Sequence, residues 1–130
     1  MNANRRFPAE VVEALHTGKM LRIRAGRQPH RFIGIWVVVV EGRVFVRSWS
    51  IKPRSWYRTF LKAPVGAIEV DGREMAVRAV PARSERLPDA IDQAYLEKYN
   101  TRASLKYARD LGRQKSRATT TELVPLSRRL

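Results

Sequence analysis

The chain is 130 residues long and carries 26 Lys and Arg against 12 Asp and Glu, a formal charge of +14. This length suits one compact domain, and an apolar fraction of 44% is ordinary for a globular chain, which argues against charge-driven disorder. The absence of Cys excludes disulfides, thiolate metal sites and thiol nucleophiles, and His16 and His30 alone are poor material for a His-based metal centre or triad.

In chain order, Pro8 to Thr17 reads as a short helix: Pro8 suits a first-turn position, Glu10 favours the positive end, and Val11, Val12 and Leu15 form an apolar face. Gly18 ends it. Met20 to Ile23 is a weakly signalled first strand, and Gly26 to His30 a loop broken by Pro29. Ile33 to Val40 is the strongest strand, β-branched almost throughout, and a run so apolar is expected to be buried on both faces. Within the nine residues from Phe32 to Val40 lies the longest apolar stretch, far short of the ~20 needed for a membrane helix. Glu10 and Glu13 interrupt the only apolar segment near the N-terminus that could serve as a secretory core, so the expectation is a cytoplasmic protein without membrane attachment.

Glu41-Gly42-Arg43 is a tight turn, and Val44 to Ser48 returns as the second arm of a hairpin. After the break at Lys52-Pro53, Ser55 can cap a helix through Trp56, Tyr57, Phe60 and Leu61 that stops before Pro64. A second hairpin pairs Ala67–Val70 with Met75–Val80 around Asp71-Gly72-Arg73. Pro88 to Asn100 is a helix with Ile91, Ala94, Tyr95 and Tyr99 along one stripe, and Leu105 to Leu111 continues as another helical segment. The basic stretch Arg113–Arg117 follows, then a final strand over Thr119–Leu126. This order describes an α+β domain in which antiparallel hairpins close a barrel or part of one. Residues 1–130 form a single domain in this reading, with 1–18 and 127–130 peripheral.

The charge is uneven: residues 1–31 and 32–62 each carry +5, residues 63–100 carry −2, and residues 101–130 carry +6. The sharpest run is Arg47, Lys52, Arg54, Arg58 and Lys62, with no acid among them. A strand end, a cationic loop and a helix N-terminus at Ser55 are what a phosphate-bearing ligand needs, and Trp49 and Trp56 can flank a planar ring. The structural alternative is a solvated loop whose Trp56, Tyr57 and Phe60 dock the helix on the sheet. Arg102, Lys106, Arg109, Arg113, Lys115 and Arg117 recur at partly helical spacing, either as a basic face for nucleic acid or as a solvated helix and tail, the latter being favoured. The acids Glu69, Asp71 and Glu74 fall on a hairpin turn and read as solubilising.

Two segments resemble a known superfamily. Ile35–Trp49 (IWVVVVEGRVFVRSW) is similar to the barrel hairpin of flavin-binding split-barrel proteins, and Ser55–Pro64 (SWYRTFLKAP) to the helix that follows it. That group includes pyridoxamine phosphate oxidases and deazaflavin-dependent nitroreductases. More narrowly, the chain resembles a bacterial family of uncharacterised small proteins in the superfamily, through Ile91–Tyr99 and Thr119–Pro125 as well. The resemblance implies a six-stranded antiparallel split β-barrel with flanking helices, a homodimer, and FMN or a deazaflavin held at the dimer interface. It implies phosphate contacts from Arg47, Ser48, Lys52, Arg54, Ser55 and Arg58, with Trp49 and Trp56 near the ring. A flavin- or deazaflavin-binding split-barrel protein is then the leading expectation, with a flavin-dependent oxidoreductase activity left open and catalytic residues unassigned. A basic nucleic-acid-binding module and a ligand-free structural or partner-binding dimer are the alternatives.

Overall fold

The computed structural model describes residues 6–27 and 30–126. Thus the expected tail at 127–130, and Gln28 and Pro29 of the expected loop, lie outside the described residues. Helix α1 (Ala9–Thr17) starts behind Pro8, carries Glu10 in its first turn and buries Val11 and Leu15, four residues apart on one face. Strand β1 (Leu21–Ala25) alternates, with Leu21, Ile23 and Ala25 inward. Then come β2 (Ile33–Ile35), β3 (Val38–Val40), β4 (Arg43–Val46), α2 (Trp56–Lys62), β5 (Val65–Val70) and β6 (Arg73–Pro81). Three helices follow, α3 (Leu87–Lys98), α4 (Leu105–Leu111) and α5 (Gln114–Arg117), before β7 (Thr121–Pro125).

Both expected hairpins form around two-residue turns with positive φ at each position: 56° and 73° at Glu41 and Gly42, 51° and 79° at Asp71 and Gly72. That backbone matches the right-handed twist of the paired strands. A left-handed conformation costs a Glu more than a Gly. Glu41 is held there by the guanidinium of Arg86, which donates to both of its carboxylate oxygens at 2.5 and 3.1 Å, and by Arg6, which donates to its carbonyl at 2.7 Å.

One seven-stranded antiparallel sheet results, in the order β2-β1-β5-β6-β7-β4-β3. Its two edges, β2 and β3, are consecutive in the chain, and from Ile35 to Val38 is only three Cα steps. Those steps span at most about 11 Å, so the sheet must curl until its edges nearly meet. The seventh strand is not an addition to the six expected. The run Ile33–Val40 breaks at Trp36-Val37, so that its first half pairs with β1 and its second with β4. Nor is that run buried on both faces: Ile33 is 45% exposed and Gly34 is exposed, whereas Val37 and Val38 are sealed.

The break has a specific cause. The Val37 N–H donates to the Tyr99 hydroxyl at 3.1 Å, and the Val37 carbonyl accepts from Lys98 Nζ at 2.8 Å. Side chains at the end of α3 thus take the place of a ladder partner. Trp36 stacks flat on the Tyr99 ring, centroids 3.9 Å apart and planes 2° from parallel.

The curled sheet encloses one apolar core, built from Leu21, Ile23, Val44, Val46, Ile68 and Val77 among others. Helix α1 is no peripheral appendage, since Phe7, Val11 and Leu15 belong to this core, as does Phe60 of α2. A second core lies on the outer side of β3 and β4, where Val38 and Phe45 meet Leu87, Ile91, Tyr95 and Tyr99 of α3 and its end, and Ala108 and Leu111 of α4. Side chains alternate along a strand, and the outward residues of β1, β5 and β6 at the other end of the sheet have no such helical cover among the described residues.

Candidate functional site

The segment after β4 behaves differently from a free phosphate loop. Sheet pairing stops at Val46, opposite Thr121, and Arg47 turns its side chain inward, where none of it is exposed. Its guanidinium donates to Asp92 Oδ1 at 2.5 Å, to the Leu111 carbonyl at 2.9 Å, to Thr120 Oγ1 at 2.8 Å and to the Pro88 carbonyl at 3.2 Å. Arg117 reinforces the same carboxylate, 3.3 Å from Asp92 Oδ2. Arg47 therefore ties β4 to α3, α4 and the start of β7, and its fork is consumed by the chain itself. Ser48 is also buried: its N–H donates to Thr119 Oγ1 at 2.8 Å and its hydroxyl to the Ser50 carbonyl at 2.6 Å.

Ser55 caps α2 as its sequence position suggests, accepting from the Arg58 N–H at 3.2 Å while its hydroxyl donates to the Lys52 carbonyl at 2.8 Å. Arg58 donates to the Ile51 carbonyl at 3.1 Å, so it too is partly engaged in holding the loop. Trp56 packs against the enclosed core and meets Phe60 edge-on, which is the docking role weighed for it. Trp49 instead leans edge-on against Trp36 and stays 40% exposed. Lys52 and Arg54 are exposed and enter no ion pair among the described residues. The eight residues picked out by sequence are thus divided: Arg47, Ser48, Ser55, Trp56 and Arg58 serve the loop and core, and Trp49, Lys52 and Arg54 face outward.

A second location was not visible in the sequence. Across the bare outer face of β1, β5 and β6 runs an open groove of about 690 Å³. Gly66, Ala67 and Ala76 floor it, Val65 and Leu126 lend apolar edges, and Arg24, Arg27, Arg78 and Glu74 stand around it. Arg24 is paired with Glu74 at 2.9 Å. Arg27 and Arg78 are exposed and enter no ion pair among the described residues. The groove abuts α2 at Gly26, whose φ of +86° suits glycine and where a Cβ would come within 2.9 Å of Thr59 Cγ2. Small side chains in register across two strands (Ala67 opposite Ala76) leave a flat floor, and flat floors suit planar ligands. No single stretch of sequence announces it, because its walls come from β1, β5 and β6.

A third feature is a pocket of about 360 Å³ between α1, β3 and α3, where Lys98 sits with His16, Val38 and Glu97. Lys98 Nζ donates to the Leu15 and Val37 carbonyls, both at 2.8 Å, and desolvation lowers its pKa to about 8. Those carbonyls are an orphaned end of α1 and the break in the edge strand, so Lys98 acts as a structural tie. His16 lines this pocket and the His30 ring lies 3.1 Å from the Ala25 carbonyl; among the described residues no cluster of three His, Asp or Glu side chains could hold a metal. Likewise, no helix among the described residues is long and apolar enough to cross a membrane.

These features place the chain in the class of small α+β proteins built on a curled, barrel-like antiparallel sheet. Residues 11–123 match the family described as "Uncharacterized protein conserved in bacteria" (DUF2255), and the chain belongs to that family. Among solved structures it is similar to the conserved hypothetical protein Rv2991 from Mycobacterium tuberculosis, with a TM-score of 0.51 and 14% identity over 98% of this chain and 84% of the other. At that identity the likeness concerns the fold. No curated protein matches the chain.

Proposed function

We propose that the protein is a split-barrel homodimer that binds a flavin-type, phosphate-bearing cofactor, FMN or a deazaflavin, in the groove on the bare face of β1, β5 and β6. The observation that carries this reading is the groove's chemistry: a floor of Gly66, Ala67 and Ala76 for a planar ring, beside Arg27 and Arg78 with guanidinium groups free for phosphate. When bound, such a cofactor supplies the hydride chemistry itself, and the protein's part is to hold and orient it. A second copy laid across the same face would close a groove that is open on one side, and dimerisation belongs to the proposal for that reason.

The test begins with protein purified at high salt with nuclease treatment, whose visible absorbance reports any retained flavin. FMN and a deazaflavin are then titrated by fluorescence, and the oligomer is measured by light scattering. Arg27→Ala with Arg78→Ala is expected to weaken binding roughly tenfold or more, the scale of lost charge-assisted hydrogen bonds, without loss of fold. A dimer that takes up neither cofactor would leave the ligand-free structural reading standing. Weakening by Lys52→Ala with Arg54→Ala, and not by the groove variant, would move the cofactor to the loop after β4.

A further inference from the structure

The groove leaves unused a second exposed surface, formed by the loop after β4 and by α4. There Trp49, 40% exposed, and Tyr107, 46% exposed, stand edge to face with ring centroids 6.3 Å apart. Trp49 is backed by Trp36 at 5.3 Å, and Trp36 by Tyr99 at 3.9 Å, so the outer rings rest on a packed aromatic column rather than on mobile chain. Cations lie on both sides in sequence. Lys52 and Arg54 follow Trp49, and Lys106 lies beside Tyr107, its Nζ 5.2 Å from that ring's centroid. Asp110, an acid on the same helix, is taken by Arg113 at 3.1 Å.

We propose that this surface binds single-stranded nucleic acid, with Trp49 and Tyr107 stacking on bases and Lys52, Arg54 and Lys106 meeting the backbone phosphates. Charge complementarity points to a polyanion: Lys52, Arg54 and Lys106 enter no ion pair among the described residues, on a chain that carries +14. Exposed rings, with cations close by in sequence that enter no ion pair among the described residues, match a polymer that alternates flat bases with phosphates, because every base offers a π face whatever its sequence. A duplex hides those faces and would meet only the cations. The proposal rests on residues separate from the groove, so it stands or falls apart from cofactor binding.

The experiment uses the full chain and fluorescein-labelled 12-residue oligothymidine and oligouridine, read by anisotropy across a salt series, with far-UV circular dichroism as the check on fold. Binding is expected to quench Trp fluorescence. Trp49→Leu with Tyr107→Leu should weaken it roughly tenfold or more while leaving the salt slope unchanged, since stacking releases no counterions. Lys52→Gln with Lys106→Gln should instead lower the slope by about 1.4, about 0.7 for each phosphate of a single strand that is no longer neutralised. Comparison of the two oligomers separates a deoxyribose from a ribose partner. Should the aromatic pair prove too important for folding, quenching of Trp fluorescence by oligothymidine but not by polyphosphate tests the stacking in the unaltered protein. Equal binding of polyphosphate, an aromatic variant that is folded and binds as tightly as the original, or retention on anionic phosphatidylserine vesicles without oligonucleotide binding would each overturn the proposal.

Discussion

The two ends of the curled sheet differ in what lies over them. Over β3 and β4 sit α3 and α4, with a core of Phe45, Ile91, Tyr95 and Leu111 and a cation, Arg47, sealed within it. Over the outer face of β1, β5 and β6 no helix of the described residues packs: Arg22, Arg24, Glu69 and Glu74 form ion pairs in or near solvent around a small-residue floor. The same residue type does opposite work at the two ends. Buried, an Arg must have its donors satisfied and becomes part of the architecture; exposed, it keeps its fork available to a ligand. Cation count alone therefore misleads about function, and the partner of each cation has to be found first.

The largest expected effect is on the covered end. Arg47→Ala strands the Leu111 and Pro88 carbonyls and removes the closest partner of Asp92, and is expected to lower unfolding free energy by about 3–5 kcal/mol in urea denaturation. Arg47→Lys should recover only part, because one ammonium cannot reproduce a planar fork with acceptors at Thr120, Asp92 and Pro88. A loss below about 1 kcal/mol for the Ala variant would make the two ends equivalent. Next comes Tyr99→Phe. The hydroxyl donates to the Lys19 carbonyl at 2.7 Å and accepts from the Val37 N–H, and its removal should cost about 1–3 kcal/mol. Amide hydrogen exchange at Val37 should rise in this variant more than exchange within β4 does.

Local signals and long-range ones divide in the same way. Asp71-Gly72 and Glu41-Gly42 announce their hairpins because the turn needs positive φ at adjacent positions, a demand met within a few residues. Ser55 as a helix cap, Val11 and Leu15 as a buried face, and Ile91 with Tyr95 as a stripe are equally local and equally legible. The break at Trp36-Val37 is not, since its cause is a hydroxyl on Tyr99, 62 residues away in sequence. Arg47 shows the limit most sharply: its neighbours mark it as a cation at a strand end, open to a phosphate, while its acceptors at Asp92, Leu111 and Thr120 come from elements 45 to 73 residues further on. The groove was hidden for a related reason, since Arg27, Ala67 and Arg78 meet only once β1, β5 and β6 are paired.

Titration sharpens the contrast without a ligand. Lys98 is ordinarily protonated up to about 10.5, but in the folded chain burial brings its pKa to about 8. Below pH 8 it is charged in both states and contributes no slope. Between about 8 and 10.5 the unfolded chain holds a proton that the folded chain has released, so stability from this group rises with pH. Tyrosine works the other way. Burial pushes Tyr99 up to about 12, and Tyr95 shifts in the same direction, so above about 10 the unfolded chain ionises first and stability falls. Denaturation midpoints from pH 7 to 11 should therefore climb and then drop, and Lys98→Met should remove the climb and keep the drop. Identical profiles for the two proteins would show that Lys98 exchanges its proton as if in water.

The smallest effect belongs to the bare end, and its size is informative. Glu69 and Glu74 face each other directly across β5 and β6, a like-charge pair, and each is neutralised by an Arg of β1: Arg22 at 2.6 Å and Arg24 at 2.9 Å. Glu74→Gln removes an exposed ion pair and a cross-strand repulsion together, so the change in stability of the dilute monomer should lie within about 1 kcal/mol of zero and shrink in salt. Concentration then decides whether the face stays bare. If a second copy covers it, the midpoint of the unaltered protein rises with protein concentration, and a variant at the covered surface changes that dependence. Midpoints of both proteins that are flat across a hundredfold range of concentration would mean that solvent, not a second subunit, is the partner of this end of the sheet.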